Sequence, residues 1–187
     1  MKKYILPSLK MTLVLLVICS VLFPLLISGI AHFAPGRGRG ETVTLDGRVV
    51  GYANIGQSFT QDKYFWGRPS AVSYNAASSG ASNKGPTNPD YLKDVEAHID
   101  TFLVHNPGVR RQDIPAEMVT YSGSGLDPDI SPASAYIQVR RVAAARGLSE
   151  GAVRNLVDRH VEGPLLGLFG PSKVNVLKLN VALDELK

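Results

Sequence analysis

The stretch Met11-Thr-Leu-Val-Leu-Leu-Val-Ile-Cys-Ser-Val-Leu-Phe-Pro-Leu-Leu-Ile-Ser-Gly-Ile-Ala-His-Phe-Ala34 contains no Lys, Arg, Asp or Glu, and its reading decides how the rest of the chain is built. At about 1.5 Å of rise per helical residue, such a run crosses a hydrocarbon core of roughly 30 Å. Within lipid, a helix is the only single segment that satisfies all of its own backbone N–H and C=O groups. The run therefore predicts a transmembrane helix over 11–34, kinked at Pro24, with Thr12, Ser20 and Ser28 small enough to lie against neighbouring helices. A cleaved signal peptide shares the basic start, and Gly29-Ile30-Ala31 loosely resembles a small-x-small cleavage site. Signal cores, however, run to about 7–15 residues, and this one is much longer. A helix buried in a soluble core fits so long a charge-free run poorly.

On the N-terminal side, residues 1–10 form a short tail whose Lys2, Lys3 and Lys10 favour a cytoplasmic start under the positive-inside rule. Arg37, Arg39 and Arg48 follow the span, so charge alone sets the orientation only weakly. On the C-terminal side, Pro35-Gly36-Arg37-Gly38-Arg39-Gly40 reads as a flexible linker, and 41–187 is long enough for a single domain with a real core. The chain of 187 residues carries a formal charge of +4. Three of its 20 Lys and Arg residues precede the span, which leaves the rest with 17 basic against 16 acidic side chains. A nearly neutral domain argues against a strong nucleic-acid footprint. Cys19 is the only cysteine and sits inside the apolar run, so the domain has no internal disulfide and no cysteine-based metal site.

The domain reads as mixed α+β. Thr42-Val43-Thr44-Leu45 and Val49-Val50 flank Asp46-Gly47, the strongest short hairpin signal, and the hairpin runs to about Ile55. The aromatic segment Tyr64-Phe65-Trp66 ends in a turn at Arg68-Pro69, and 74–88 is a long loop of small polar residues. Asn88 caps a helix with Pro89 at its first position and Tyr91, Val95, Ile99 and Phe102 on one face. Residues 121–130 read as turn throughout. Ser131-Pro132 opens a second helix running to Arg146, and Ser149 caps a third that extends through His160 and Val161 to Gly163-Pro164. Val174-Asn-Val-Leu-Lys-Leu179 reads as a buried strand, with Asn180 capping a closing helix.

Chemical constellations are sparse. His32, His98, His105 and His160 have no metal-ligand spacing, and no nucleophile elbow is present. Ser122-Gly123-Ser124-Gly125 has a phosphate-cradle look without the Gly-Lys-Ser/Thr that would complete it. The two helices joined by Arg146-Gly-Leu-Ser149 are laid out like a helix-turn-helix, but Glu150, Asp158 and Glu162 would repel DNA from the second. A tethered DNA binder and an exported nucleotide-binding or hydrolytic domain therefore stand as alternative readings.

Taken in order, Gly56-Gln57-Ser-Phe59, Tyr64-Phe-Trp-Gly-Arg-Pro-Ser-Ala71, Ser82-Asn-Lys-Gly-Pro-Thr-Asn88, Ser122-Gly-Ser-Gly-Leu-Asp-Pro128, Ile130-Ser-Pro132, Arg141-Val-Ala-Ala-Ala-Arg146 and Val174-Asn-Val-Leu-Lys-Leu-Asn180 resemble the C subunit family of the bacterial Kdp potassium-transporting ATPase. The resemblance covers nearly the whole chain, with local departures at Ala81, Lys84 and Asp129. It implies a single-pass protein of the bacterial inner membrane with a cytoplasmic N-terminus and an α+β domain on the periplasmic side. It also implies membrane lipid and three protein partners: a channel-like potassium subunit, a P-type ATPase subunit and a small one-helix subunit. Nucleic acid is not among the implied partners. The family is described as a non-catalytic accessory, a catalytic chaperone that raises the ATP affinity of the ATPase subunit. No cofactor of its own is implied, only ATP through the complex.

By that resemblance Ser122, Gly123, Ser124, Gly125 and Gln138 are candidate nucleotide contacts. Because the bilayer separates an outer domain from cytoplasmic ATP, any coupling would run through the anchor helix. Tyr64, Phe65, Trp66, Arg68 and Asp127 are candidate interface residues over the outer mouth of the potassium pathway, with Asp127 and Asp129 expected to gather cations there.

Overall fold

The computed structural model describes residues 2–186, Lys2 by its backbone alone, and the chain forms two compact units that part between Glu41 and Thr42. The first unit is helical. Helix α1 (Lys2–Val17) passes through a π-helical turn (Ile18–Leu22) into α2 (Phe23–Ala31). From Lys3 to Ala31 this helix is long and apolar enough to cross a membrane, and none of its most apolar window is buried. It starts before the charge-free run because Lys3 and Lys10 are good helix formers. The π turn sits immediately before Pro24. That residue has no N–H for the Ser20 carbonyl, and the widened turn, in which the Phe23 N–H reaches the Ile18 oxygen, absorbs the mismatch. After Ala31 the chain leaves the helix through a turn at Pro35–Gly38, where Gly36 and Arg37 take positive φ.

The second unit opens with the expected hairpin, β1 (Thr42–Leu45) and β2 (Arg48–Tyr52), closed by Asp46 and Gly47 at φ 50° and 76°. Residues 53–88 contain no helix or strand and wrap the domain as turns and bends. Helix α3 (Pro89–His105) is capped as its sequence predicts, Asn88 accepting from the N–H groups of Asp90 and Tyr91. Then come β3 (Asp129–Ile130), α4 (Pro132–Tyr136), α5 (Val139–Arg146), α6 (Glu150–Arg159), β4 (Val161–Glu162), β5 (Lys173–Asn175) and α7 (Val176–Glu185). The three short strands form one antiparallel sheet in the order β3-β5-β4. Phe65, Phe102, Ile130, Val142, Val153, Val174, Leu179 and Leu183 lie at the centre of a single core between this sheet and the helices. Architecture and sequence agree on α+β.

Four local expectations need correction, two for a side-chain reason and two for strand pairing. The helix from Pro132 to Arg146 is broken at Ile137 and Gln138: the Gln138 carboxamide donates to the Ser134 carbonyl at 3.0 Å, so the Gln138 backbone N–H moves to Ala135. Helix α6 stops at Arg159, because Val161 and Glu162 pair with Val174 and Lys173 across the sheet. The closing strand ends at Asn175, whose side chain accepts from the Lys178 N–H and caps α7. Val176, Leu179 and Leu183 then share one helical face, and Asn180 lies in mid-helix, fully buried, rather than at the cap. Asp129 and Ile130, expected as turn, pair with Asn175 and Val174.

Candidate functional site

The aromatic segment is the domain's organising feature, and the contacts made by its backbone explain why. Phe65 donates its N–H to the Asn180 side-chain oxygen at 2.8 Å, and the Asn180 amide returns a bond to the Phe65 carbonyl at 3.0 Å. One residue on, Trp66 donates to the Gln138 oxygen at 2.8 Å and accepts from the Gln138 amide at 3.2 Å. Two carboxamides, from α7 and α5's entry turn, thus stand in for the neighbouring strands that this non-strand segment lacks. Both are fully buried.

Arg141 completes the arrangement. Its guanidinium donates to the carbonyls of Asp62 and Tyr64 at 2.7 and 3.0 Å, to the Gln138 oxygen at 2.6 Å and to the Asn106 side chain at 3.0 Å. It also stacks over the Trp66 ring, 4.5 Å from the centroid. Burial pushes its pKa down to about 10, partly opposed by the Asp62 carboxylate. Asp62 in turn meets His105 at 2.7 Å, and the His105 ring sits edge-on to Trp66.

The Ser-Gly-Ser-Gly loop is fastened to the segment that follows Trp66. Ser122 donates its N–H to the Pro69 carbonyl, Ser70 donates its hydroxyl to the Gly125 carbonyl at 2.6 Å, and the Ser124 carbonyl accepts from both the Gly80 N–H and the Ser79 hydroxyl. Gly56 donates to the Leu126 carbonyl on the loop's other side. Gly125 holds φ 68°, and a Cβ there would lie 2.4 Å from Val72 Cγ2 and 2.8 Å from the Gly80 carbonyl oxygen. Arg68 pairs with Asp127 at 3.0 Å and reaches the Tyr121 carbonyl, while Tyr74 donates its hydroxyl to the Arg68 carbonyl. Burial raises the Tyr74 phenol to about 12, with the Asp127 charge adding to the shift and Arg68 opposing it.

These contacts place each sequence-derived candidate. Phe65 and Gln138 are inside the core and present no surface to a partner or a nucleotide. Ser122 and Gly125 are buried in the loop's own docking, whereas Gly123 and Ser124 face solvent. Tyr64 is half-buried, its hydroxyl on Asp184 and its ring under Arg146. Trp66 and Arg68 are half-buried and line a cleft of about 230 Å³ together with Ser70, Tyr74, His98 and Phe102. Asp127 and Asp129 are each occupied by a cation, Arg68 and Lys173 respectively, which removes the motive for reading them as a cation trap. Among the described residues, no group of three or more His, Cys, Asp and Glu side chains could hold a metal ion.

Sequence reasoning missed Asn180, Arg141 and Glu117. Glu117 accepts from the Ser131 N–H at 2.8 Å and from the Ser134 hydroxyl, fixing the start of α4. Burial raises its pKa, but those hydrogen bonds and the Arg68 charge together outweigh it and leave the carboxyl below its ordinary range. A signal for Asn180 was present: a polar residue amid the apolar positions of a closing helix demands a buried partner.

A family model described as "KdpC: K+-transporting ATPase, c chain" matches residues 5–185. Proteins called "Potassium-transporting ATPase KdpC subunit" are similar throughout. That of Bacteroides fragilis is 61% identical over 99% of this chain and 98% of its own length. The Bacteroides thetaiotaomicron protein is 60% identical over 99% and 100%, and that of Caldanaerobacter subterraneus subsp. tengcongensis is 50% identical over 96% and 94%. Anchor, aromatic segment, docked loop and closing helix all fall within the matched span, and the chain therefore belongs to the KdpC family, the c chain of the K+-transporting ATPase.

Proposed function

We propose that the chain is a membrane-anchored accessory subunit of the ATP-driven potassium uptake complex, without a catalytic site of its own. The observation that carries this reading is the helix from Lys3 to Ala31, whose apolar window is wholly uncovered. Such a surface is stable only against lipid tails and other transmembrane helices. The partners are a channel-like potassium subunit, a P-type ATPase subunit and a small one-helix subunit. The N-terminus with Lys2, Lys3 and Lys10 lies in the cytoplasm, and the domain from Thr42 onward lies outside the inner membrane.

In this role the domain offers a rigid exterior rather than reactive groups. Gln138, proposed by family resemblance as a nucleotide contact, has its amide committed to Trp66, Ser134 and Arg141, which supports an indirect effect on ATP affinity. Coupling would pass through the anchor as a change in how it packs against the transport subunits. The half-buried rims of the aromatic cleft, Trp66 and Arg68, and the open corner of the loop at Gly123 and Ser124 provide a docking face beside the potassium pathway.

The test replaces Thr12, Ser20 and Ser28 together by Leu and purifies the complex from membranes. The expected result is a chain that still inserts but co-purifies with less of the other subunits, because bulk at these small positions blocks close approach. Full stoichiometry and normal potassium uptake would overturn the proposal that the anchor is a packing element. Cysteine labelling at Gly123 in intact cells tests the orientation.

A further inference from the structure

The connection from β4 to β5 carries an apolar tip that the fold leaves uncovered. Pro164-Leu-Leu-Gly-Leu-Phe-Gly-Pro-Ser172 contains no charged residue. Leu165, Leu166, Leu168 and Phe169 are 71, 81, 81 and 63% exposed, more than the exposed apolar side chains of β2, where Val49, Val50 and Tyr52 are 60, 38 and 47% exposed. The tip is ordered. Leu165 and Phe169 exchange two backbone hydrogen bonds at 2.9 and 3.0 Å, Leu168 donates to Leu165, and Gly167 donates to Pro164. Leu166 and Gly167 both take positive φ, 55° and 73°, a conformation that costs a leucine free energy and here turns its side chain outward. At the base, Lys173 and Glu162 form an ion pair across the two strands.

We propose that this tip inserts shallowly into the lipid bilayer and acts as a second membrane contact, in addition to the helical anchor. Three observations favour lipid over a protein partner. The four N–H groups of residues 165 and 167–169 are bonded within the tip, so it can enter an apolar medium without stranding those donors. No side chain from Leu165 to Phe169 can donate or accept a hydrogen bond, whereas protein interfaces draw their specificity from such groups and from Trp, Tyr and Arg anchors. Finally, only residues 32–41 separate the anchor helix from β1. At most about 35 Å of extended chain holds the domain near the bilayer, so lipid is present at high effective concentration. Leucine and phenylalanine burying their side chains at the acyl boundary follow the same physics as an interfacial amphipathic helix.

The inference rests on the helix being a membrane anchor, and the experiment reads the two separately. In the full chain with Cys19→Ser, a single Leu168→Cys is labelled with an environment-sensitive fluorophore and reconstituted into phosphatidylcholine–phosphatidylglycerol vesicles, with Val104→Cys as the exposed control. Flotation with the vesicles reports the anchor. At position 168 the expected result is blue-shifted emission, quenched several-fold more by doxyl-labelled lipid than at position 104 and correspondingly less by aqueous iodide. Iodide access equal to that of position 104, in a chain that floats, overturns the lipid contact while leaving the anchor intact. Shielding that appears only when the other subunits are added also overturns it and assigns the tip to a protein interface. Replacing Leu166 and Phe169 by Ser in a chain labelled at 168 gives a second reading, since loss of the blue shift without change in far-ultraviolet circular dichroism is expected.

Discussion

Gln138 and Trp66 are joined twice, once through the Trp66 N–H on the Gln138 oxygen at 2.8 Å and once through the Gln138 amide on the Trp66 carbonyl at 3.2 Å. The same oxygen also accepts from Arg141, so one buried carboxamide holds the aromatic segment, the guanidinium beneath it and the turn between α4 and α5.

Replacing Gln138 by Leu keeps the volume and removes all of those bonds. The Trp66 N–H and one guanidinium N–H are then buried without partners, a loss of about 2–4 kcal/mol. Urea unfolding of the detergent-solubilised full chain, followed by Trp66 fluorescence, measures it. An unchanged midpoint combined with a lost nucleotide effect in the complex would instead make Gln138 a ligand contact.

The loop of small residues divides sharply by position. Gly125→Ala places a Cβ against Val72 and the Gly80 carbonyl at a positive φ, and is expected to cost about 2–3 kcal/mol. Gly123→Ala meets nothing within 4 Å and is expected to stay within about 0.5 kcal/mol. Equal effects at the two positions would mean that the loop is used for something other than docking on residues 68–80.

Glu117 gives the domain an acid limit. Its folded pKa lies below the ordinary value of about 4.3, so the carboxylate's contribution is complete above that value and is lost as pH falls through the folded pKa. Thermal melts of Glu117→Gln should therefore show lower stability than the parent chain at neutral pH and convergence with it in strong acid. A gap that persists at low pH would refute the assignment.

Tyr74 behaves in the opposite sense. Its folded pKa is raised to about 12, so its contribution is complete below the ordinary tyrosine value near 10 and declines as pH rises toward 12. An ultraviolet titration should show a late-ionising group of phenols, Tyr74 together with Tyr64, Tyr121 and Tyr136, whose pKa values are also raised, and Tyr74→Phe should remove one phenol from it.

Much of this organisation was legible from residues with strong local grammar. The anchor was visible as a run without charge, the first hairpin in Asp46-Gly47, and α3, α4 and α6 in Asn88, Ser131 and Ser149, each of which caps as its position predicts. What stayed hidden depends on partners distant in sequence. Val174 to Leu179 has the composition of a strand, and only the Asn175 cap and the helical spacing of Val176, Leu179 and Leu183 reveal the change to α7. The break before α5 arises from a side chain competing for its own helix's carbonyl, which no propensity records. The fold brings residues 64–68 and 122–127 together through the Arg68–Asp127 pair, but which of those residues point inward follows from Asn180 and Arg141, whose pairing to the segment no spacing rule predicts.

The partner of Phe65 lies 115 residues further along the chain. A polypeptide emerging from the ribosome at about 5–20 residues per second therefore leaves that aromatic stretch unmated for roughly 6–23 s, until the final helix has been made. Throughout that interval the Phe65 N–H and C=O lack the Asn180 carboxamide that they meet in the folded domain. Formation of this pairing is thus gated by the synthesis of α7, the helix that carries Asn180.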